Sequence, residues 1–189
     1  MKKITFYYSW LSLDKSELKL LTMVSEKGSF VGNLSEICRW FSLSTETRNR
    51  NKIKRSITFL SKNKFIKYSR NGNTYTINIV PKENAIEIPD FTLEKIKTAD
   101  CSGTSIDWIN LLKLYLLIEH HSSIKATYND ISKILNVGET TLANAKKILD
   151  KNFHELSIDK IKKKQPDGSY WVVGQEFTMG AAFTKTIKQ

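Results

Sequence analysis

Apolar residues recur at helical spacing in three successive stretches, at residues 14–28, at residues 33–41 and from residue 44 into residues 59–65. Such spacing places the apolar side chains on one face of a helix, which is buried when the chain folds. The pattern therefore predicts three helices. The residues that define their apolar faces are Leu18, Leu21, Met23 and Val24; Leu34, Ile37, Cys38 and Phe41; and Ile53, Ile57 and Leu60.

The ends of these helices are marked by residues that suit helix termini. Gly28 is a suitable stop for the first helix. Asn33 precedes the second and has Glu36 three positions later, which is the spacing of a capping box. Ser44 or Thr45 is the expected cap of the third helix.

The period changes from helical to alternating in residues 65–80, "FIKYSRNGNTYTINIV". Two alternating runs flank Asn71-Gly72, a dipeptide typical of type I′ turns because both central residues of that turn need a positive φ. A β-hairpin is therefore expected after the third helix, and residues 29–33 form a short extended piece before the second.

Residues 81–105 differ in composition from what precedes them. Pro81 and Pro89 interrupt regular structure, the charge turns acidic, and a Cys-Ser-Gly-Thr-Ser cluster ends the segment. This composition predicts a linker with one short helix at residues 91–98. The expected organisation is a domain at residues 1–80, this linker, and a second domain at residues 106–189.

The second domain repeats the order of the first. Thr127 and Asp130 form a further capping box, and a hairpin is expected to turn at residues 166–168. Two copies of one plan are more informative than either copy alone. The predicted elements are helices at residues 106–121, 127–137 and 139–153 and a hairpin at residues 156–177.

The order helix, helix, turn, helix, hairpin resembles the winged helix-turn-helix family, in "NLSEICRWFSLSTETRNRNKIKRSITFLSKNKFI" and in "DISKILNVGETTLANAKKIL". The resemblance implies an α+β, mainly helical fold with two winged helix-turn-helix domains in tandem. It also implies that the third helix enters the major groove of DNA while the hairpin, or wing, touches the flanking backbone. The first copy resembles replication initiators of plasmids and phages and regulators carried on mobile elements.

The two copies differ in the spacing that follows the turn. Ile53 lies ten positions after Leu43, whereas Leu142 lies five positions after Val137. Two alternatives remain open. Either the first turn is longer, or its recognition helix begins early and carries a polar N-terminal extension.

The charge of the chain favours a polyanionic partner. Thirty Lys and Arg against 19 Asp and Glu leave a formal charge of +11, with a pI near 9.6. Residues 1–80 carry 15 of the basic and 5 of the acidic side chains. The expected partner is therefore a nucleic acid rather than a membrane surface, and the first domain is expected to supply most of the affinity for it.

The resemblance implies DNA contacts from both recognition helices and both wings. Arg pairs bidentately with guanine and Asn with adenine, and lysines suit phosphates. The alternative for each basic run is a solvated surface. The candidate residues are Thr45, Thr47, Arg48, Asn49, Arg50, Lys52, Lys54, Arg55, Lys67, Arg70, Asn71, Thr140, Thr141, Asn144, Lys146, Lys147, Lys162, Lys163 and Lys164.

Chemistry of other classes has little support in the sequence. The histidines and the two cysteines lack the spacing of metal ligands, and no nucleophile lies beside a base. The sequence therefore predicts a protein that is not an enzyme and that has no metal, cofactor or small-molecule substrate. Two isolated cysteines indicate a reduced, cytoplasmic protein. The longest apolar run, residues 108–118, is too short for a membrane span.

The sequence therefore predicts a sequence-specific protein that binds double-stranded DNA with repeated half-sites, as a transcriptional regulator of a plasmid, phage or other mobile element. An accessory protein of replication or DNA transfer would need the same contacts with DNA and is an alternative. A second alternative is an adaptor that binds protein. Homodimerisation is a further alternative, because the helix at residues 108–118 is apolar around most of its circumference. If the chain does not dimerise, this helix is expected to be the central helix of its domain.

Overall fold

The computed structural model describes residues 2–104, 106–153, 156–166 and 169–179 of the chain. It divides between Asp90 and Phe91 into two units, each of which combines helices with a small sheet. Seven α-helices and three antiparallel sheets lie within the described residues. The predicted α+β class is therefore confirmed.

The first unit has a layer of three helices on a three-stranded sheet, whose middle strand is the last of the three along the chain. All three predicted helices are present, and they bury the apolar positions expected from the spacing, among them Leu18, Leu21, Ile53 and Leu60. The exception is Phe41, which is half-buried and follows the last residue of α2. The elements are β1 (Lys3–Tyr7), α1 (Lys15–Lys27), β2 (Phe30–Gly32), α2 (Leu34–Trp40), α3 (Thr47–Lys62), β3 (Ile66–Asn71), β4 (Thr74–Ile79) and β5 (Ala85–Pro89).

A polar contact fixes α3 against α1 inside this layer. The buried Ser56 hydroxyl donates to the Glu17 carboxylate across 2.8 Å. A hydrogen bond to a charged acceptor is worth about 1.5–3 kcal/mol, more than a neutral one. The contact therefore orients α3 in addition to its apolar packing.

The strand β5 corrects the predicted linker. It pairs with β1, with Ile4 opposite Ile88 and Phe6 opposite Ile86, and all four side chains are buried. Residues 85–89 thus complete the first unit, and the assignment of all of residues 81–105 to a linker is wrong at this strand. The strand follows Pro81 closely, ends at Pro89 and pairs with a strand far away in the sequence, so the local pattern does not indicate the partner.

The hairpin of β3 and β4 is present, but its turn lies one residue later than predicted. Asn71 pairs with Thr74, so Gly72 and Asn73 are the two loop residues. Gly72 has a φ of 58°, and Asn73 is not among the positive-φ residues. A glycine with positive φ at the first loop position is typical of a type II′ turn, so the predicted type I′ turn is wrong.

The second unit repeats the sequence of helix, strand, helix, helix and hairpin, and it also has a three-stranded sheet. The third strand of the repeat lies in the middle of the sheet, as in the first unit. The predicted turn at residues 166–168 includes Asp167 and Gly168, which lie outside the described residues. The elements are α4 (Asp90–Lys97), α5 (Trp108–His121), β6 (Ser123–Ala126), α6 (Tyr128–Leu135), α7 (Glu139–Asn152), β7 (Leu156–Lys164) and β8 (Tyr170–Met179).

Helix α5 is the central helix of this unit. It packs against α7, β6 and β8, and its residues from Leu111 to Ile118 are all buried. Lys113 lies among them and donates from Nζ to the carbonyl of Leu135 across 2.6 Å, at the end of α6. The apolar circumference of α5 is thus used inside the chain and no longer favours association.

The predicted capping box at the start of α6 is confirmed. The Thr127 hydroxyl accepts from the Asp130 N–H, and the Asp130 carboxylate accepts from the Thr127 N–H. Hydrogen bonds from Thr127 also hold the pKa of Asp130 below its ordinary value. At the start of α2, the Asn33 side chain accepts a hydrogen bond from the Glu36 N–H. The Glu36 carboxylate, however, accepts from the side-chain amide of Asn33 and not from its backbone N–H, so this capping box is only half formed.

None of the helices in the described part of the chain combines the length and the apolar character that a membrane span requires.

Candidate nucleic-acid interface

The second helix of the repeat ends in the same way in both units. The Leu43 N–H donates to the carbonyl of Cys38 across 2.8 Å, and the Val137 N–H donates to that of Ser132 across 3.1 Å. Ser42 and Asn136, the residues before, have φ values of 56° and 50°. This is the closure of a Schellman motif, and it makes Leu43 and Val137 equivalent positions.

From these equivalent positions the two units diverge. Three residues separate Leu43 from α3, and Gly138 alone separates Val137 from α7. Ile53 is the seventh residue of α3, whereas Leu142 is the fourth of α7. Of the five extra residues, two therefore lengthen the turn and three extend the helix, so each predicted alternative is partly right.

The start of α3 differs from the prediction. Its N-cap is Glu46, which makes no side-chain cap bond, so neither Ser44 nor Thr45 caps the helix. Thr45 lies in the turn. Asn49 instead donates from Nδ2 to the carbonyl and hydroxyl oxygens of Ser44, across 3.0 and 2.9 Å. Its amide hydrogens thus hold the turn against the helix.

The polar side chains of α3 form three rows on the face away from the core. Residues four apart lie one above the other on a helix. Every member of the rows is exposed. The central row is Thr47, Asn51 and Arg55, the hairpin-side row is Arg50 and Lys54, and the outer row is Arg48 and Lys52.

A cleft of about 510 Å³ lies between α3, the start of α2 and the β3–β4 hairpin. It brings four cations together, and none of its lining residues is acidic. Sequence patterns did not single out Arg39, Asn51 or Asn73, because their place in the cleft depends on the packing of segments that are distant in the sequence. The lining residues are Asn33, Leu34, Ser35, Arg39, Thr47, Arg50, Asn51, Lys54, Arg70, Asn73 and Tyr75.

Arg70 is held in position on the hairpin side of this cleft. Its Nε donates to the carbonyl of Gly72 across 2.7 Å, and its guanidinium carbon lies 5.6 Å from the ring centroid of Tyr75. Lys67 and Asn71 are exposed, but they alternate to the other face of β3. The structure therefore brings Arg70 to the cleft and leaves the other two predicted hairpin residues outside it.

The outer side of α3 borders a second cleft, of about 630 Å³. Asn51 lines both clefts, because it lies at the centre of the exposed face. The lining residues of the second cleft are Glu46, Arg48, Asn49, Asn51, Lys52 and Arg55.

The charge on α3 is not neutralised within the molecule. The helix has six basic and no acidic residues, and its first turn lacks a carboxylate. In the described part of the chain, none of these six forms an ion pair with an acidic side chain. Burial raises the pKa of the neighbouring Cys38 thiol, while the Arg50 guanidinium opposes that rise. The surface attracts anions from outside.

The corresponding surface of the second unit is less basic. Thr140 and Lys147 of α7 are exposed, whereas Thr141, Asn144 and Lys146 are half-buried. Glu139 lies in the first turn, where a carboxylate suits the helix dipole. On the hairpin, a bulge between Ile161 and Lys162 precedes three exposed lysines, which are Lys162, Lys163 and Lys164.

The two adjacent histidines at the end of α5 contact each other. The ring centroids of His120 and His121 lie 4.8 Å apart. Burial lowers the pKa of His121, and electrostatic repulsion from His120 lowers it further. Among the described residues, no three His, Cys, Asp or Glu side chains lie together as a metal site would require.

No known protein-family profile matches this chain, and no curated protein matches it. A function for the basic surface therefore has to follow from the geometry and charge of the chain itself.

Proposed function

We propose that this chain is a sequence-specific double-stranded DNA-binding protein with two winged helix-turn-helix domains, of which the first supplies most of the affinity. The observation that carries the proposal is the cleft of about 510 Å³, where Arg39, Arg50, Lys54 and Arg70 converge from two helices and a hairpin. In the proposed arrangement α3 is the recognition helix and the β3–β4 hairpin is the wing.

The shape of this surface suits a duplex. An α-helix fits the major groove, which is about 12 Å wide, and α3 presents cations on both flanks of its exposed face. The hairpin stands beside the helix, where the DNA backbone flanking the groove would pass. Each phosphate that a cation neutralises releases a counterion and adds affinity.

Single-stranded nucleic acid suits the cleft less well. Binding of single strands usually relies on aromatic side chains on which bases stack. Tyr75 is the aromatic residue among the lining side chains, and it is only 5% exposed and adjoined by Arg70. The cleft therefore offers charge and hydrogen bonds but no open stacking platform.

The biological process that we propose is transcriptional regulation on a plasmid, phage or other mobile element. Replication or DNA-transfer accessory proteins need the same grip on DNA. Sequencing the DNA that is recovered with the protein from its own cells separates these roles: fragments at promoters support regulation, and fragments confined to a replication or transfer origin overturn it.

The binding proposal is tested by titrating a fluorescent duplex with the full chain at 50 and 200 mM salt. Five phosphate contacts would give a slope of about −4.5 in log K against log salt, or roughly a 500-fold loss between these concentrations. Arg70→Ala is expected to weaken binding about tenfold, whereas Lys67→Ala, on the other face of the same strand, serves as the matched control.

Absence of duplex binding at 50 mM salt would refute the proposal and favour the adaptor alternative. Equal effects of the Arg70 and Lys67 substitutions would show that the hairpin does not bind through its cleft side.

A further inference from the structure

The central row of α3 contains one amide between two rows of cations. Asn51 has Arg50 and Lys54 on its hairpin side and Arg48 and Lys52 on its outer side. A duplex has the complementary arrangement, because the base edges lie on the floor of the major groove between two phosphate backbones. The cation rows therefore match the backbones, and the central row matches the base edges.

The amide of Asn51 is open to an external partner. The residue is exposed and borders both clefts, and no group in the described part of the chain forms a hydrogen bond with its side chain. Asn49 differs, since its amide nitrogen already donates to two oxygens of Ser44. Of these two asparagines, only Asn51 can offer a donor and an acceptor together.

An adenine edge needs that combination. Adenine presents N7 as an acceptor and N6 as a donor in the major groove, and asparagine pairs with both. Arg and Lys side chains only donate, so the flanking rows cannot accept from N6. The chemistry of the central row thus selects adenine at the position that faces Asn51.

On the basis of the proposed duplex binding, we propose that Asn51 determines specificity by pairing with an adenine in the major groove. Thr47 and Arg55, each four positions from Asn51, contact base pairs about two steps away on either side. These residues are eight positions apart, about 12 Å along the helix axis, which corresponds to three to four base-pair steps at about 3.4 Å each.

The first test is selection of bound sequences from a random duplex library by the full chain and by two variants. The wild-type chain is expected to select an adenine at one position, and Asn51→Ala to lose that preference while it keeps the neighbouring ones. Lys54→Ala, from a flanking row of the same helix, is the matched control. It should weaken binding to all duplexes and reduce the salt slope by about one without changing the selected bases.

The second test replaces the selected adenine by 7-deazaadenine, which keeps base pairing but lacks the N7 acceptor. Wild-type affinity should fall about 5- to 150-fold, the range expected for loss of a bidentate base contact. Asn51→Ala should be nearly indifferent to the replacement. Because Asn51 is exposed, this variant should retain the fold, which circular dichroism checks.

Two outcomes would overturn the inference while DNA binding stands: an unchanged adenine preference in Asn51→Ala, or tight wild-type binding without any base preference. If the wild-type chain retains no duplex at 50 mM salt, the proposed function itself fails, and this inference fails with it.

Discussion

Helices α3 and α7 follow the same kind of helix end and bury the same kind of apolar face, but they expose different side chains. Residues 47–62 include six basic and no acidic side chains, whereas residues 139–152 include three basic and two acidic ones. The buried residues thus determine the shared order of helices and strands, and the exposed residues of the two helices can differ without changing that order. This difference is the basis of the proposed ranking, in which the first unit supplies most of the affinity for DNA.

The first turn of each helix sharpens this contrast. Peptide dipoles place partial positive charge at a helix start, where a carboxylate such as Glu139 stabilises α7. In α3 the first turn adds Arg48 and Arg50 to that positive end. The carboxylate of the N-cap residue Glu46 offsets one of these two charges, so the start of α3 keeps a net positive charge that an anionic partner would offset.

The largest expected effect comes from removing two cations from each helix in turn. Arg50→Ala with Lys54→Ala should raise the dissociation constant for duplex DNA about 30-fold or more, because each lost charge-assisted contact costs about 1 kcal/mol or more. Lys146→Ala with Lys147→Ala should raise it less than about threefold. Fluorescence anisotropy at one fixed salt concentration measures both.

Equal losses from the two pairs would show that the units bind DNA alike and would refute the ranking. Thermal unfolding of both double variants is the control, since all four positions are substituted by a good helix former.

A smaller effect is expected from the buried contact of α3. Ser56 lies three residues after Ile53, and Ala145 occupies the equivalent position after Leu142. Ser56→Ala should lower the free energy of unfolding by about 1–2 kcal/mol, because the Glu17 carboxylate loses a donor at 2.8 Å. Urea unfolding followed by circular dichroism measures this change.

The reverse substitution in the second unit is the matched comparison. Ala145→Ser places a hydroxyl at a position that is 1% exposed, so a loss of about 1 kcal/mol or more is expected there as well. A neutral result for Ser56→Ala would mean that the hydrogen bond to Glu17 contributes nothing to stability.

The smallest effect concerns the residues that end α2 and α6. Serine at a φ of 56° is strained, whereas asparagine tolerates the left-handed region better. Ser42→Gly should therefore stabilise the chain by about 0.5 kcal/mol, and Asn136→Gly should change stability by less. Differential scanning calorimetry detects the difference as a shift in Tm, and a destabilising Ser42→Gly would contradict it.

The helices could be predicted from the sequence because their signals are local. The spacing of Ile53, Ile57 and Leu60 needs only one segment to indicate a buried face, and the capping box of Thr127 and Asp130 spans four residues. The same locality explains why the sequence predicts the hairpin correctly but places its turn one residue too early. The dipeptide Asn71-Gly72 marks a turn, but the register also depends on Tyr75 and Ile77, which are buried against the helices.

The remaining features depend on residues that are distant in the sequence. Nothing near Ile86 indicates that it pairs with Phe6, and nothing near Arg39 or Asn73 indicates that they line a cleft with Arg50. Asn49 and Asn51 have the same side chain two positions apart. Only the three-dimensional structure shows that one of them holds the turn and the other faces outward.

The pairing of β1 with β5 has a consequence for the synthesis of this protein. Lys3 pairs with Pro89, so the first strand leaves the ribosome more than 80 residues before its partner strand does. At 5–20 residues per second, this interval is roughly 4 to 17 s. During that time Ile4 and Phe6 lack the strand that helps to cover them, so we expect the nascent N-terminal segment to be a binding site for chaperones.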